Sequence, residues 1–250
     1  MKAIFKTLGS LVVVGILSAT LLAQTGATRY DQDIQSRVAQ QLAGKKEFRN
    51  LQPSVEDGIV TLTGSVDLYQ QKLDAAKKVR KLDKVQGVRN LIEVSSTVPD
   101  AKLAAQLDRK LYYDRMGYGN QFNFVTASVQ DGVATLSGET RTYVDRDSAL
   151  WIASNMSGVK EVVNDIRVAP TSNFDDDIRI RAMRAIYRDP VLGRYAIDPA
   201  APIRIVVNNG HLSLYGTVEN KMDKQVAGIR AGQIFGVFSV QNNLEVANKS

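Results

Sequence analysis

Apolar residues follow two different periods along this chain, and the two periods alternate three times. In three segments every fourth residue is apolar, which predicts helices with one buried face. These residues are Ile34, Val38 and Leu42, then Leu103, Leu107 and Leu111, then Ile178, Ala182 and Ile186. After each such segment, apolar and polar residues alternate over two short runs, the pattern of half-buried strands. The chain is therefore predicted to contain three copies of one unit.

The two predicted strands of each copy are joined by Asp-Gly or Asn-Gly. The segments read Asp57-Gly58-Ile-Val-Thr-Leu-Thr-Gly64, Asp131-Gly132-Val-Ala-Thr-Leu-Ser-Gly138 and Asn209-Gly210-His-Leu-Ser-Leu-Tyr-Gly216. Because these residues tolerate positive φ, the motif predicts a tight β-hairpin. Six glycines are interpreted as structural turn residues: Gly58, Gly64, Gly132, Gly138, Gly210 and Gly216. Pro53 in the first copy predicts an edge strand, because proline lacks a donor for a second neighbour.

A second helix and a third strand complete each copy. Gly87-Val88, Gly158-Val159 and Gly236-Val237 are predicted to open the third strand. The order helix, strand, strand, helix, strand gives an α+β unit with two helices packed on a small three-stranded sheet. We place the three domains at residues 29–98, 100–169 and 174–247.

Two copies depart from the common pattern. In the first copy, Gly87 follows Gly64 by 23 residues, whereas the matching glycines of the other copies are 20 apart. In the third copy, three prolines between the first helix and the hairpin predict an enlarged surface loop: Pro190, Pro199 and Pro202. The first copy is therefore expected to be the least typical of the three.

Residues 1–27 have the features of a signal peptide. Two lysines precede an apolar stretch, and small residues follow it at Ala23 and Ala27. Such a leader directs export and is cleaved, which predicts a periplasmic protein. The alternative is an uncleaved anchor in the inner membrane, which needs about 20 apolar residues. Polar residues such as Thr20 and Gln24 interrupt the run, so cleavage is favoured.

The composition excludes several kinds of chemistry. The 250 residues include no cysteine and a single histidine, so thiolate nucleophiles and multi-histidine metal sites are excluded within one chain. His211 is interpreted as a half-exposed strand residue, because nothing in the other copies suggests a catalytic partner for it. Asp175 to Asp177 are interpreted as the acidic start of a helix rather than a cation site. We predict no enzyme activity, no cofactor and no metal.

The repeated unit resembles the BON domain of bacterial osmotically inducible periplasmic and nodulation-associated proteins. The resemblance lies in the Asp-Gly-x-Val/Ala-Thr-Leu-x-Gly hairpin and in the later Gly-Val followed by an Asn pair, as in Asn164-Asp165 and Asn242-Asn243. The first copy lacks this Asn pair after Gly87. The resemblance implies a non-enzymatic envelope protein that binds phospholipid surfaces and is linked to osmotic or envelope stress. The alternative is a protein-interaction or chaperone-like scaffold that docks on envelope proteins.

Charge and aromatic residues suggest where a lipid surface would bind. The net charge of +6 becomes +4 without the two leader lysines. Residues 29–99 hold 12 basic and 9 acidic residues, residues 100–172 hold 8 and 9, and residues 173–250 hold 10 and 8. On the second helix of the first copy, Lys77, Lys81 and Lys84 are candidates to meet phosphates, and a solvated helix face is the alternative.

The middle copy contributes aromatic residues instead of positive charge. Trp151, the only tryptophan, is a candidate for the headgroup zone of a membrane. Packing within or between domains is the alternative for it and for a neighbouring aromatic group: Tyr112, Tyr113, Tyr118, Phe122 and Phe124. We expect no nucleic-acid partner, because export removes it and no two glycines are spaced as in the G-x-x-G clamp.

Overall fold

The computed structural model describes residues 17–114, 119–198 and 200–247. Domain 1 contains α1 (Leu17–Ala43), β1 (Leu51–Glu56), β2 (Ile59–Val66), α2 (Tyr69–Arg80), β3 (Gly87–Asn90) and β4 (Glu93–Val94). Domain 2 contains α3 (Asp100–Tyr113), β5 (Phe124–Gln130), β6 (Val133–Thr140), α4 (Tyr143–Ser154) and β7 (Glu161–Val168). Domain 3 contains α5 (Asn173–Tyr187), β8 (Ile203–Asn208), β9 (His211–Val218), α6 (Lys221–Gly232), β10 (Ser239–Asn242) and β11 (Glu245–Val246). The predicted α+β class with three repeating units is confirmed.

The second hairpin strand lies at the centre of each small sheet. β2 is antiparallel to β1 and parallel to β3, and the same pattern recurs for β6 and for β9. The third strand is continuous in domain 2 but is divided into two short pieces in domains 1 and 3. Pro53 lies on β1 at the edge of its sheet, as predicted.

The apolar faces of the helices cover one side of each sheet. All nine residues of the predicted helical stripes are buried. From the second helix, Ala75 in domain 1, Ala149 in domain 2 and Ala227 in domain 3 are also buried. Small side chains at this position allow the helix to lie close to the sheet, and each domain closes its own apolar core.

The six glycines occupy two different kinds of position. Gly58, Gly132 and Gly210 lie in the hairpin turns with φ of 75°, 81° and 76°. The other three, predicted as turn residues, instead lie within the second hairpin strand. At Gly138, for example, φ is 128° and a Cβ would lie 2.1 Å from the Phe124 carbonyl oxygen. A glycine is required there because the neighbouring strand passes too close for any side chain.

An aspartate of the first helix holds each hairpin turn. Asp31 accepts hydrogen bonds from the backbone N–H of Asp57 and Gly58, both at 2.9 Å. Asp100 accepts from Asp131 and Gly132, and Asp175 accepts from Asn209 and Gly210. Asp31, Asp100 and Asp175 therefore fix the turn to the helix. Asp100 and Asp175 lie in the first turns of α3 and α5, whereas Asp31 lies within α1, which begins at Leu17.

The proline-containing segment of domain 3 is packed rather than being only a surface loop. It contains a 3₁₀ helix, Leu192–Ala196, whose Leu192 and Tyr195 are buried in the domain 3 core. The Tyr195 hydroxyl donates to Asp223 at 2.6 Å, and Arg230 pairs with Asp189 at 2.6 Å. These polar contacts tie the segment to α6 and correct the prediction.

The chain divides into two compact units. One consists of residues 71–93 with the described residues before 67, and the other of residues 67–70 and 94–247. The second unit holds domains 2 and 3 together. Within the residues that the structure describes, none of the helices is long and apolar enough to cross a membrane. Residues 1–16 of the predicted signal peptide lie outside the described residues, and α1 includes residues 17–27.

Domains 2 and 3 are joined through a buried arginine. Arg204 of β8 is only 3% exposed, and its guanidinium donates to the backbone carbonyls of Tyr112 and Asn120 of domain 2. Burial lowers the pKa of Arg204. The rings of Phe124 and Tyr215 stack at 4.2 Å with an angle of 7°. Because the arginine spans the junction and donates to two domain 2 carbonyls, the two domains are specifically matched.

Candidate functional site

The three candidate lysines do not form one helical stripe. α2 ends at Arg80, so only Lys77 lies on the helix, while Lys81 and Lys84 lie in the turn that follows. All three side chains are exposed. Lys84 has its Nζ 4.7 Å from the centre of the Tyr30 ring, a cation–π contact. Lys77 and Lys81 are consequently the more available pair for a phosphate.

The backbone of Lys84 shows that domain 1 follows the repeat of domains 2 and 3 more closely than its sequence suggests. Its φ is 66°, and Gly158 and Gly236 have φ of 99° and 93° at the matching place. Lys84 follows Gly64 by the same 20 residues that separate the corresponding glycines in domains 2 and 3. The equivalent of Gly158-Val159 is therefore Lys84-Val85, and the prediction that Gly87-Val88 occupies this place is wrong.

The same alignment recovers the asparagine of domain 1. Asn90 lies opposite Leu62, as Asn164 lies opposite Leu136 and Asn242 opposite Leu214. Asn90 accepts from the Ile92 N–H at 3.3 Å and donates to the Lys72 carbonyl at 3.0 Å. Asn242 makes the corresponding bonds to Leu244 and Lys224. Only the second residue of the Asn pair is absent from domain 1, where Leu91 takes its place.

Trp151 projects from the outer face of α4. It is 62% exposed, and Val144, seven residues earlier, is 61% exposed. Seven residues are close to two helical turns, so the two side chains lie on one stripe. Tyr143 is exposed at the start of the same helix. An apolar stripe that includes the only tryptophan thus faces away from the domain 2 core.

Domain 3 repeats this apolar pair at equivalent positions. α2, α4 and α6 each have 12 residues, and their ninth residues are Lys77, Trp151 and Ile229. Met222 and Ile229 of α6 are 66% and 59% exposed, as Val144 and Trp151 are in α4. Sequence reasoning missed Val144, Met222 and Ile229. Aligning the second helices would have revealed them, because the apolar residues recur seven apart outside the buried stripe.

The remaining aromatic residues of domain 2 serve mainly in packing. Phe122 is buried with the core residues of domain 3, and Phe124 stacks on Tyr215. The Tyr112 ring lies 5.3 Å from the Arg204 guanidinium. Tyr113 is exposed, and Tyr118 lies outside the described residues. For Phe122, Phe124 and Tyr112, interdomain packing is confirmed as the correct alternative.

Neither His211 nor the three aspartates form a site with converging ligands. His211 is exposed at the start of β9, with its Nδ1 2.7 Å from the Ser239 hydroxyl. Asp176 pairs with Arg141 and Arg179, and Asp177 pairs with Arg181. No group of three acidic or histidine side chains close enough to hold a metal ion occurs within the described ranges.

Comparison with known proteins agrees with the repeated architecture. The model of the BON domain matches residues 30–96, 99–170 and 175–248. No curated protein matches the chain.

Two solved structures show weak similarity. CdsD, a structural protein of the type III secretion system of Chlamydia trachomatis, is 17% identical over 87% of this chain and 92% of its own, with a TM-score of 0.25. The PrgH periplasmic domain is 11% identical over 84% of this chain and 100% of its own, with a TM-score of 0.18. Three matches to the BON model cover most of the sequence, so the chain belongs to the BON domain family, whose domains are non-catalytic, and carries three tandem copies.

Proposed function

We propose that this BON protein is exported to the periplasm and binds peripherally to anionic phospholipid surfaces. The observation that carries the proposal is the exposed apolar pair Val144 and Trp151 on α4, repeated as Met222 and Ile229 on α6. Exposed apolar groups of this kind mark interaction surfaces for membranes or proteins. The cleavable leader pattern in residues 1–27 supports export.

The charge distribution supplies the electrostatic part of the proposal. The exposed Lys77 and Lys81 belong to a domain with a net charge of +3, from 12 basic and 9 acidic residues. A basic residue near an anionic bilayer contributes about 1 kcal/mol of attraction. Trp151 would lie in the headgroup zone, where tryptophan is enriched because one end of its ring system is apolar and the other polar. Attraction and shallow insertion thus come from different domains.

The first test is vesicle co-sedimentation at low and high salt. We expect binding to phosphatidylglycerol vesicles and none to phosphatidylcholine vesicles. Binding should weaken as salt rises, because the Debye length falls from about 30 Å at 0.01 M salt to about 8 Å at 0.15 M. Absence of binding to phosphatidylglycerol at low salt would contradict the proposal.

The single tryptophan provides a direct test of insertion. Trp151 fluorescence should shift to shorter wavelength when phosphatidylglycerol vesicles are added, because the indole leaves water. Trp151→Ala should weaken vesicle binding, whereas Tyr113→Ala is the control, since it removes an exposed aromatic side chain outside the proposed surface. Equal effects of both variants, or an unchanged emission spectrum, would show that Trp151 does not contact lipid.

The lysines are tested by charge reversal. Lys77→Glu combined with Lys81→Glu should lower the vesicle partition coefficient by about tenfold or more. The control combines Lys45→Glu with Lys46→Glu, which changes the net charge of the same domain equally at two other exposed lysines. If both pairs act alike, only the overall charge matters and α2 is not the contact surface.

A protein-interaction scaffold is the second candidate, and the loop after α6 favours it. Phe235 and Phe238 are strongly exposed there, whereas the matching positions in domain 2 are the polar Ser157 and Lys160. Phe235→Ser combined with Phe238→Lys makes this loop like that of domain 2. If vesicle binding is absent in the native protein and association with envelope proteins is lost in this variant, the scaffold replaces the lipid proposal.

A further inference from the structure

A groove lies near the C-terminal ends of α5 and α6 in domain 3, and we call it the arginine groove. Its volume is about 340 Å³. Three guanidinium groups line it, from Arg184 and Arg188 at the end of α5 and from Arg230 of α6. Three positive charges and the one carboxylate of the lining give a net charge of +2. The other lining residues are Ala185, Asp189, Pro190, Gln233 and Ile234.

The one carboxylate of the groove is already paired. Asp189 is buried, and it accepts from two backbone N–H groups of the following turn at 2.8 and 3.2 Å and from Arg230 Nε at 2.6 Å. Within the described residues, Arg184 and Arg188 form no ion pair with a carboxylate, and both are exposed. Two guanidinium groups are therefore available to an anion from outside.

The equivalent place in domain 2 has a different set of side chains. Aligning the buried stripes of α3 and α5 places Arg109 at the position of Arg184 and Tyr113 at the position of Arg188. The Arg109 guanidinium lies 5.8 Å from the centre of the Tyr113 ring, so it has a partner within its own helix. Because both domains fold on the same apolar stripe, the fold does not require the two arginines of domain 3. Their presence there indicates a role in binding.

The arginine side chains indicate the kind of anion. A guanidinium group presents planar, paired donors that match two oxygens of a phosphate group. A phosphate monoester has three free oxygens and a charge of about −1.5 to −2 near pH 7, which balances the charge of the groove. A phosphate diester has only one negative charge and matches it less well. Apolar surface for the esterified part comes from Ala185, Pro190 and Ile234.

From this combination we propose that the arginine groove binds a phosphate monoester. This chemistry is shared by soluble compounds such as glycerol 3-phosphate and by the headgroup of phosphatidic acid. The phosphate oxygens accept from Arg184 and Arg188, and the side-chain amide of Gln233 is a further donor. A soluble monoester tests the groove without a membrane, so this inference and the proposed function can fail separately.

The test is a titration of the ¹⁵N-labelled protein with glycerol 3-phosphate at constant ionic strength, followed by NMR. We expect shifts of the amide signals around the groove and a dissociation constant near a millimolar, about what a few charge-assisted hydrogen bonds give on an open surface. Dimethyl phosphate, a diester, should bind about fivefold more weakly or less tightly still. Binding of glycerol 3-phosphate should also weaken below about pH 6, where the monoester takes up a proton. The arginines and the aspartate of the groove do not titrate between about pH 5 and 8.

Variants test the two available arginines. Arg184→Gln should raise the dissociation constant of glycerol 3-phosphate by about tenfold or more, the effect of one charge-assisted hydrogen bond. Arg188→Tyr introduces the domain 2 residue and should have an effect of about the same size. Arg109→Gln is the matched control, because it removes the same charge from the equivalent position of domain 2. It should change the dissociation constant by less than about twofold.

Vesicles distinguish the two sources of the phosphate group. If Arg184→Gln weakens binding to vesicles that contain phosphatidic acid more than binding to phosphatidylglycerol vesicles, the lipid headgroup reaches the groove. If it changes neither but weakens the binding of glycerol 3-phosphate, the ligand is a soluble monoester. Both results support the inference. Equal weakening on both kinds of vesicle would show that the groove does not select a monoester and would overturn it.

The titrations decide the inference by themselves as well. It is overturned if glycerol 3-phosphate shifts no signal around the groove, if dimethyl phosphate binds as tightly, or if Arg109→Gln weakens binding as much as Arg184→Gln does. A native protein that binds phosphatidylglycerol vesicles but not glycerol 3-phosphate would contradict this inference and leave the proposed function standing. The reverse result would support the arginine groove and contradict the proposed function.

Discussion

The first hairpin strands of domains 1 and 3 occupy the same place in the repeat but have different outer faces. In β1 the outward residues Gln52, Ser54 and Glu56 are exposed. In β8 the corresponding Arg204 and Val206 are buried, although both strands pair with their neighbours in the same register. The difference arises because domain 2 covers β8.

This contrast separates the residues that specify the fold from those that specify assembly. The inward residues keep one apolar pattern in every copy, because each domain must close its own core. The outward residues are free to vary, and in β8 they include a charged side chain whose partners lie in another domain. A buried arginine is tolerated only where its donors find acceptors, so Arg204 specifies one particular neighbour.

The largest expected effect comes from removing that arginine. Arg204→Met removes two charge-assisted hydrogen bonds, to the carbonyls of Tyr112 and Asn120, so we expect a loss of about 3–5 kcal/mol in the free energy of unfolding. Domains 2 and 3 should then unfold in separate transitions, which calorimetry can resolve. Gln52→Met changes the equivalent exposed position of β1 and should alter stability by about 0.5 kcal/mol or less. A similar small change for Arg204→Met would mean that the arginine does not join the domains.

A second effect compares the aspartates that hold the hairpin turns. Asp175 is buried, and its carboxylate accepts from Asn209 and Gly210 at 2.9 and 2.8 Å. Asp175→Ala should cost about 3 kcal/mol, because a buried N–H group and a half-buried one lose a charged acceptor. Asp31→Ala should cost about 1 kcal/mol, because water can replace the more exposed carboxylate. Chemical denaturation of both variants measures the difference, and equal losses would show that burial does not control it.

A third effect concerns Lys84, which has a left-handed backbone conformation at the place where domains 2 and 3 have glycine. Lys84→Gly should raise the stability of domain 1 by about 0.5–1 kcal/mol, because the strain of φ 66° exceeds the loss of the contact with Tyr30. Lys81→Gly, three residues earlier and without positive φ, should lower stability instead. Thermal unfolding tests the opposite signs. Destabilisation by both substitutions would show that the Tyr30 contact outweighs the backbone strain.

The repeat and its core could be predicted from the sequence because they depend on local periodicity. The stripe of Ile34, Val38 and Leu42 and the turn at Asp57-Gly58 need no knowledge of distant residues. The left-handed conformation of Lys84 was not predicted, because a lysine carries no sequence signal for positive φ. The end of α2 at Arg80 was missed for the same reason, which separated the candidate lysines.

Contacts between domains were beyond sequence reasoning for a different physical cause. Phe122 and Phe124 were assigned either to a membrane or to packing, since an apolar aromatic residue suits both. Arg204 gave no signal, because nothing in its own strand reveals the carbonyls that surround it. The exposed pair of Met222 and Ile229 was available from the repeat alignment, because the equivalent positions of α4 are also apolar.

The smallest expected effect concerns the exposed part of the domain 2–3 junction and its dependence on pH. Asp176 accepts from Arg141 Nε and Nη2 at 3.0 Å and from Arg179 Nη1 at 2.7 Å. The hydrogen bonds from Arg141, followed by those from Arg179, lower the pKa of Asp176. Since the folded pKa lies below the unfolded value of about 3.9, its stabilisation is fully present above that pH. It is lost as the pH falls through the folded pKa, where the native carboxylate becomes protonated.

Asp176→Asn should therefore destabilise the protein at about pH 7, and the difference from the native protein should shrink below about pH 4. Urea unfolding of both proteins at a series of pH values measures it. Asp177→Asn is the control, because the Asp177 pair with Arg181 is a solvent-exposed contact at 3.3 Å and such pairs contribute little. If the difference in unfolding free energy between the native protein and Asp176→Asn stays constant across the acidic range, the charge of Asp176 does not stabilise the junction. Arg204 would then be the main polar contact of the junction.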